Sequence, residues 1–135
     1  MTALLLDTHV LLWTISQPER LGRKAALAIE RATKSGSLLV SAATFGEIAM
    51  LVAKRRVRLK LSPTELRNRC LRSGAQEVAV TGEQAIDAAG LEGLPGDPID
   101  RFIVAAARHR GAMLVTADMQ ILDWKGRVPR LDATT

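Results

Sequence analysis

The sequence predicts a three-layer α/β/α domain with a mainly parallel central sheet, and three observations carry that prediction. Four short apolar runs, Ala3–Leu6, Leu38–Val40, Val78–Val80 and Met113–Val115, lack the polar alternation of a half-exposed strand, as strands buried on both faces do. Helical patterns with recognisable ends separate these runs, so strands and helical crossovers alternate along the chain. The length of 135 residues, 47% of them hydrophobic, suits one domain over residues 1–135 with its own core. No repeat, low-complexity tract or linker divides it.

Taken in order, Leu4–Leu6 by itself also suits a buried helix, and the repetition across four runs selects strands. Val10–Ser16 reads as a short, strongly apolar helix stopped near Pro18. Lys24–Lys34 carries Ala25, Leu27, Ala28, Ile29 and Ala32, with Gly36 as its C-terminal stop. Thr44–Arg56 turns Phe45, Ile48, Ala49, Leu51 and Val52 inward and ends on Lys54, Arg55 and Arg56, the charge the helix dipole prefers there. Ser62-Pro63-Thr64-Glu65 is a capping box with proline at the first helical position, opening a helix that Gly74 closes. Thr81–Gly90 is a shorter helix, and residues 91–97 are the most loop-like interior stretch. Pro98–Arg110 turns Ile99, Phe102, Ile103, Ala106 and Ala107 inward and stops at Gly111. A short turn or helix at Asp118–Leu122 and an edge strand near Val128–Leu131 complete the pattern.

Composition narrows the function. The apolar runs are far shorter than the roughly 18–20 residues of a membrane span. Ala3–Leu6 is cut off by Asp7 with no basic leader before it, so no signal peptide is read and a cytoplasmic address is expected. One cysteine and two histidines exclude an internal disulfide and a four-ligand Cys/His zinc site. Two Trp, two Phe and no Tyr count against RNA-binding sheets and OB-folds that stack bases on aromatic rings. The net charge of +5 leans toward a polyanionic partner.

In an open parallel sheet, ligands sit at the carboxyl ends of the strands, and acidic residues gather there in this sequence. Asp7 follows the first strand, and Asp118 lies beyond the last long one. Glu47 is expected on the first turn of the helix entered from the second strand, and Asp97 and Asp100 open the helix before the last long strand. Each has a structural explanation on its own: Thr44-x-x-Glu47 fits a capping box, Asp97 before Pro98 fits an N-cap, Asp118 fits a cap for the short helix, and Asp7 or Thr8 fits a cap near Val10. Together they point to chemistry, because carboxylates held close repel unless a cation compensates them. Oxygen-only ligation selects a hard cation, Mg²⁺ or Mn²⁺, which commonly meets substrate phosphate oxygens.

Four segments, Leu4-Leu5-Leu6-Asp7-Thr8-His9, Ser41-Ala42-Ala43-Thr44-Phe45-Gly46-Glu47-Ile48, Gly96-Asp97-Pro98-Ile99-Asp100-Arg101-Phe102-Ile103-Val104-Ala105 and Met113-Leu114-Val115-Thr116-Ala117-Asp118, in this order and spacing resemble the PIN-domain family. The likeness is specifically to VapC-type toxins of bacterial toxin–antitoxin pairs and runs from Leu4 to about Leu131. The resemblance implies a metal-dependent endoribonuclease, usually with Mg²⁺ or Mn²⁺, acting on an RNA substrate, inhibited by a cognate antitoxin and assembling as a homodimer, with no membrane partner. Carried over residue by residue, it implies Asp7 and Asp100 as principal metal ligands. Asp118 and Glu47 would complete the cluster, bind a second ion or orient the attacking water. Asp97 matches an additional acid and is expected as a helix cap that supports the site. Thr8 and Thr116 flank the acids, either bonded to carboxylates or metal waters or standing as exposed loop threonines.

Other polar residues have simpler expectations. His9 is peripheral, and His109 between Arg108 and Arg110 complements a helix dipole. Trp13 and Trp124 are packing residues, and Arg101 reaches either a phosphate or a neighbouring acid. The basic run Lys54–Lys60 with Arg67, Arg69 and Arg72 is a solvated helical hairpin, an RNA-backbone contact or a bed for the antitoxin's tail. A phosphoacceptor signalling domain would want an acceptor Asp after a middle strand and a Lys after a late one. Here Thr81-Gly82 and Thr116-Ala117-Asp118 stand instead. A PIN-like binding module without catalysis finds no support, since all four acids are present. A DNA nuclease or a general RNA-processing PIN protein shares the metal chemistry and stays open. Setting the four site acids aside leaves ten acidic residues against nineteen basic ones, a shell of +9 around an acidic pocket.

Overall fold

The computed structural model describes residues 2–135 and places five strands in one sheet of order β3-β2-β1-β4-β5, with every pairing parallel. The strands are β1 (Leu4–Leu6), β2 (Leu38–Ser41), β3 (Gln76–Val78), β4 (Met113–Thr116) and β5 (Arg130–Asp132). The helices are α1 (Thr8–Ser16), α2 (Arg23–Ser35), α3 (Ala42–Ala53), α4 (Pro63–Arg72), α5 (Gly82–Ala89), α6 (Pro98–Arg110) and α7 (Met119–Leu122), with a single 3₁₀ turn at Pro18–Arg20. This is the α/β architecture with a parallel sheet that the alternation predicts. Among the described residues no helix is long and apolar enough to cross a membrane.

The uninterrupted apolar strands are explained by two cores. Because strand side chains alternate in direction, Leu4 and Leu6 enter the core shared with α1–α4, while Leu5 enters the one built on α6 and α7. Leu38 and Val40 divide from Leu39 in the same way, and Val115 from Leu114. Every strand residue of β1 and β2 is therefore buried. The helices between them satisfy both faces, which is the three-layer arrangement.

Several boundaries differ from expectation for identifiable reasons. The third strand is Gln76–Val78 rather than Val78–Val80. It is an edge strand with β2 as its one partner, so pairing of Val78 with Ser41 sets its end. Thr81 then caps α5 through its hydroxyl, which draws Val80 out to a 38% exposed position. The last strand sits at Arg130–Asp132, two residues later at its start than Val128–Leu131. Helix α1 begins at Thr8 rather than Val10, because the Asp7 carboxylate caps it. Helix α3 begins at Ala42, capped by the Ser41 hydroxyl at 3.1 Å from the Ala43 N–H, so Thr44-x-x-Glu47 is not a capping box. Its last helical residue is Ala53, and Lys54, Arg55 and Arg56 follow the helix instead of forming its last turn. The box at Ser62 and Glu65 is complete in both directions.

Strand order decides where a ligand can sit. From central β1 the chain moves outward through β2 to β3, and α5 and α6 then carry it back to β4 on the other side of β1. The crossovers therefore diverge at the carboxyl ends of β1 and β4, which opens a crevice there.

Candidate metal centre

Four chain segments deliver carboxylates to that crevice. Asp7 leaves β1, Asp118 follows β4, Glu47 lies in the second turn of α3, and Asp97 and Asp100 occupy the cap and first turn of α6. All five line one open cleft of about 560 Å³. Glu47, Asp97 and Asp100 lie closest together, each offering an oxygen within 4.8 Å of the others.

Asp7 is the most constrained of the five. It is 6% exposed, its Oδ1 accepts the Thr8 N–H at 2.8 Å, and its Oδ2 accepts the Thr116 hydroxyl at 2.7 Å. The same Thr116 oxygen accepts the Asp118 N–H at 3.0 Å, so one buried hydroxyl sets both strand-end acids. Asp118 in turn caps α7 by accepting the Gln120 N–H at 2.9 Å. Thr8 donates to the Thr44 hydroxyl at 3.4 Å. Both Thr8 and Thr116 are fully buried, which overturns their reading as exposed loop threonines. A buried hydroxyl must find a partner, and the carboxylates are what these ends of the sheet provide.

Asp97 is the helix cap expected of it and also lies beside two other acids. Its Oδ1 caps α6 by accepting the Asp100 N–H at 3.0 Å, while its carboxylate belongs to the tight triple. Ahead of it, Gly96 has φ +114°, and a Cβ there would stand 3.0 Å from Asp100 Oδ2. Glycine is required both by the left-handed backbone and by the carboxylate lying against it. Gly96→Ala is expected to cost roughly 1–2 kcal/mol in a denaturant melt. It should also weaken Mn²⁺ binding by calorimetry, because Asp100 must move.

The electrostatics follow from the crowding and burial of these acids. Burial, followed by repulsion from Asp7, Asp97, Glu47 and Asp118, pushes the Asp100 carboxyl up to about 7. Burial also raises Glu47, against the Thr8 hydroxyl that favours its anion. It raises Asp7 despite the two bonds that stabilise its charge. Three carboxyls raised together in one cleft constitute an anion-rich site that a hard, oxygen-seeking cation would compensate. The donor set fits a divalent ion.

Other residues resolve differently from expectation. Arg101 pairs with no acid among the described residues. Its guanidinium donates to the carbonyls of Ala88 at 3.1 Å, Leu91 at 3.0 Å and Leu94 at 2.7 Å, tying the α5–α6 connection to the start of α6. His109 pairs with Asp87 of α5 rather than serving only the helix end. Arg67 binds Glu77 in a two-pronged pair at 2.6 and 2.9 Å, which withdraws it from the basic run. Residues 54–60 lie in the α3–α4 connection, where Arg58 and Lys60, with Arg69 of α4, border a groove of about 330 Å³ also lined by Ile15 and Leu66. Trp124 is a packing residue, buried with its indole N–H on the Glu92 carbonyl at 2.8 Å.

The cleft lining also includes residues that the sequence did not single out as site residues. His9 and Trp13, four apart on α1 and so on one helical face, line the cleft with Arg20 and Thr134. The i,i+4 spacing behind the Asp7 cap is a signal that can be read from sequence. Nothing in the local pattern marks Arg20 or Thr134.

Comparison with known proteins adds a family and a fold. The PIN domain family profile matches residues 4–125. The chain is 37% identical over 122 residues to Ribonuclease VapC22 of Mycobacterium tuberculosis (strain ATCC 25618 / H37Rv), covering 90% of this chain and 91% of that protein. Among solved structures, VapBC2 of Rickettsia felis, bound to a DNA fragment from its promoter, aligns with TM-score 0.70 at 17% identity over 96% of this chain and 99% of that one. DNA-bound VapBC of Salmonella typhimurium aligns with TM-score 0.69 at 20% identity over 98% of both chains. VapC20 of Mycobacterium tuberculosis, a Sarcin-Ricin loop cleaving toxin, aligns with TM-score 0.61 at 16% identity over 94% of this chain and 100% of that one. At these identities the structural likenesses show the fold.

Proposed function

Because the chain belongs to the PIN-domain family and resembles a VapC ribonuclease over nine-tenths of its length, we propose that it is a metal-dependent endoribonuclease, the toxin of a toxin–antitoxin pair, using Mg²⁺ or Mn²⁺. The observation that carries this reading is the convergence of five carboxylates from four chain segments in one cleft, with Asp100 held near 7. Asp7, Glu47, Asp100 and Asp118 are assigned as the metal-binding and catalytic acids, with Asp97 beside Asp100 as a further oxygen donor.

Asp7, Glu47, Asp100 and Asp118 would hold a divalent cation there, which would supply Lewis-acid stabilisation of the phosphodiester's developing charge and lower the pKa of a bound water. The chain's own part is positional. Thr116 and the Thr8 N–H hold Asp7 in one rotamer and leave its remaining lone pairs for the cation. The α6 cap fixes Asp97 and Asp100 relative to each other. Glu47, raised by burial, is the group suited to orient the attacking water and accept its proton at a carboxylate oxygen. No side chain need form a covalent intermediate.

The relatives solved as VapBC pairs support an antitoxin partner. The groove bordered by Arg58, Lys60 and Arg69 is a fitting bed for its tail. Homodimerisation and a cytoplasmic address belong to the same reading.

The test is cleavage of single-stranded RNA by the purified protein with Mg²⁺ or Mn²⁺, and again after chelation. Cleavage should vanish with chelator and return with added ion, and Asp7→Asn should lower the rate at least about 100-fold. Cleavage indifferent to chelator, or intact in Asp7→Asn, overturns the reading. Faster cutting of DNA than of RNA would make the chain a DNA nuclease instead.

A further inference from the structure

On the nuclease reading, the cleft must admit a polyanionic strand past its own carboxylates. The cation can compensate the scissile phosphate, but its neighbours in the strand still meet an acidic wall. Among the described residues lining the cleft, one carries a guanidinium or ammonium group, and that is Arg20 at the end of the 3₁₀ turn after α1. No carboxylate pairs with it among the described residues. Its guanidinium carbon lies 4.5 Å from the centroid of the Trp13 ring, and its one side-chain hydrogen bond reaches Gln17 Oε1 at 3.4 Å.

This placement leaves Arg20 prepared for an anion. A guanidinium over an indole face is attracted through the ring's quadrupole, which consumes none of its N–H donors. The in-plane N–H groups, which form the fork that matches two phosphate oxygens, are left largely unspent. Trp13 is itself only partly buried and lines the same cleft, so ring and cation form one surface within it. Arginines committed to protein partners look different: Arg67 is held by Glu77, Arg101 by three carbonyls, and Arg130 by the carbonyls of Ile121, Trp124 and Gly126.

We propose that Arg20 is a substrate-contact residue that binds a backbone phosphate of single-stranded RNA flanking the scissile one, and that Trp13 is the positioning residue holding its guanidinium at the cleft. The contact rests on the nuclease reading and assigns a phosphate site to the same cleft as the proposed metal ligands. It is charge-based and independent of base identity.

The experiment compares wild type, Arg20→Met, Arg20→Lys, Trp13→Leu and the Arg20→Met/Trp13→Leu double variant. Steady-state cleavage of a short single-stranded RNA is measured across a salt series with Mg²⁺. Mn²⁺ affinity is measured by calorimetry, and RNA affinity by anisotropy in an Asp100→Asn background that leaves the strand intact. Arg20→Met is expected to raise KM and the RNA Kd about 5–10-fold. It should reduce the slope of log affinity against log salt by about 0.7, the share of one single-strand phosphate contact. Its Mn²⁺ affinity stays at the wild-type value. Arg20→Lys keeps most of the salt slope but binds more weakly, because an ammonium lacks the fork. Trp13→Leu raises KM in the wild-type background and has no further effect on KM in Arg20→Met.

An Arg20→Met protein with wild-type KM and salt slope overturns the proposal, as does one whose Mn²⁺ affinity falls in step with cleavage. Equal Trp13→Leu effects in both backgrounds overturn the positioning role. Wild-type protein that neither binds nor cuts RNA overturns the nuclease reading, and this contact with it.

Discussion

Asp100→Asn is expected to stop metal-dependent RNA cleavage while making the metal-free protein more stable. The cause is the Asp100 environment: burial and then the charges of Asp7, Asp97, Glu47 and Asp118 raise its carboxyl from 3.8 to about 7. The sign follows from linkage. A carboxyl whose folded pKa is raised prefers to be protonated in the native state, so ionising it works against folding. The cost is absent below about 3.8, grows as pH rises toward 7 and is fully present above 7. A shift of that size would correspond to about 4 kcal/mol for a fully buried group. Asp100 is partly solvated, so screening reduces the expected gain at pH 8 to about 1–2 kcal/mol. Denaturant melts in chelator should show Asp100→Asn more stable than wild type at pH 8 and nearly equal to it at pH 4. Removing one anionic ligand should lower the cleavage rate about 1,000-fold, the equivalent of several kcal/mol of charge stabilisation. A variant less stable than wild type at pH 8 would contradict the electrostatic account, and one that still cuts RNA would remove Asp100 from the site.

Arg101→Met is expected to destabilise the chain strongly. The side chain keeps its apolar stem and loses the fork that satisfies the carbonyls of Ala88, Leu91 and Leu94. Charge-assisted bonds to partly buried carbonyls are involved, so a loss of about 2–4 kcal/mol is expected. For a chain of this size that is roughly 8–15 °C in Tm by calorimetric melting. The site should feel it as well. The freed segment leads directly into Gly96 and Asp97, and Gly96 packs against the Asp100 carboxylate. Supporting contacts of this kind commonly change metal affinity 10–100-fold, so Mn²⁺ binding should weaken by about 10-fold. Arg101→Lys should recover only part of both effects, since one ammonium cannot reach three carbonyls from a fixed plane. A melt unchanged from wild type would show that the three carbonyls are satisfied in another way.

Much of the architecture was legible in the chain because its causes are local. Helix α6 runs from Pro98 to Arg110 as expected, since Asp97 caps one end and Gly111, at φ 59°, stops the other. The capping box at Ser62 and Glu65 formed as its spacing required. The central strands were recognisable because both of their faces are buried. The edge strand β3 was misplaced because one partner strand, rather than its own hydrophobicity, sets its register. Thr44 and Glu47 matched a capping pattern that Ser41 pre-empted by three residues.

The sequence by itself determined the alternation of strands and helices, and it placed acidic residues just after the strands where a parallel sheet opens. These are short-range consequences of burial, capping and turn chemistry. Tertiary structure alone decided which of those acids meet. The order β3-β2-β1-β4-β5 joins Asp7 to Asp118 through Thr116, a contact spanning 109 residues of chain. It also brought Asp97 into the tightest group with Glu47 and Asp100, buried both flanking threonines, and set Arg20 over Trp13 in the same cleft. The physical reason is that a carboxylate's proton affinity and a guanidinium's free donors depend on neighbours brought near by strand pairing, which no local pattern encodes.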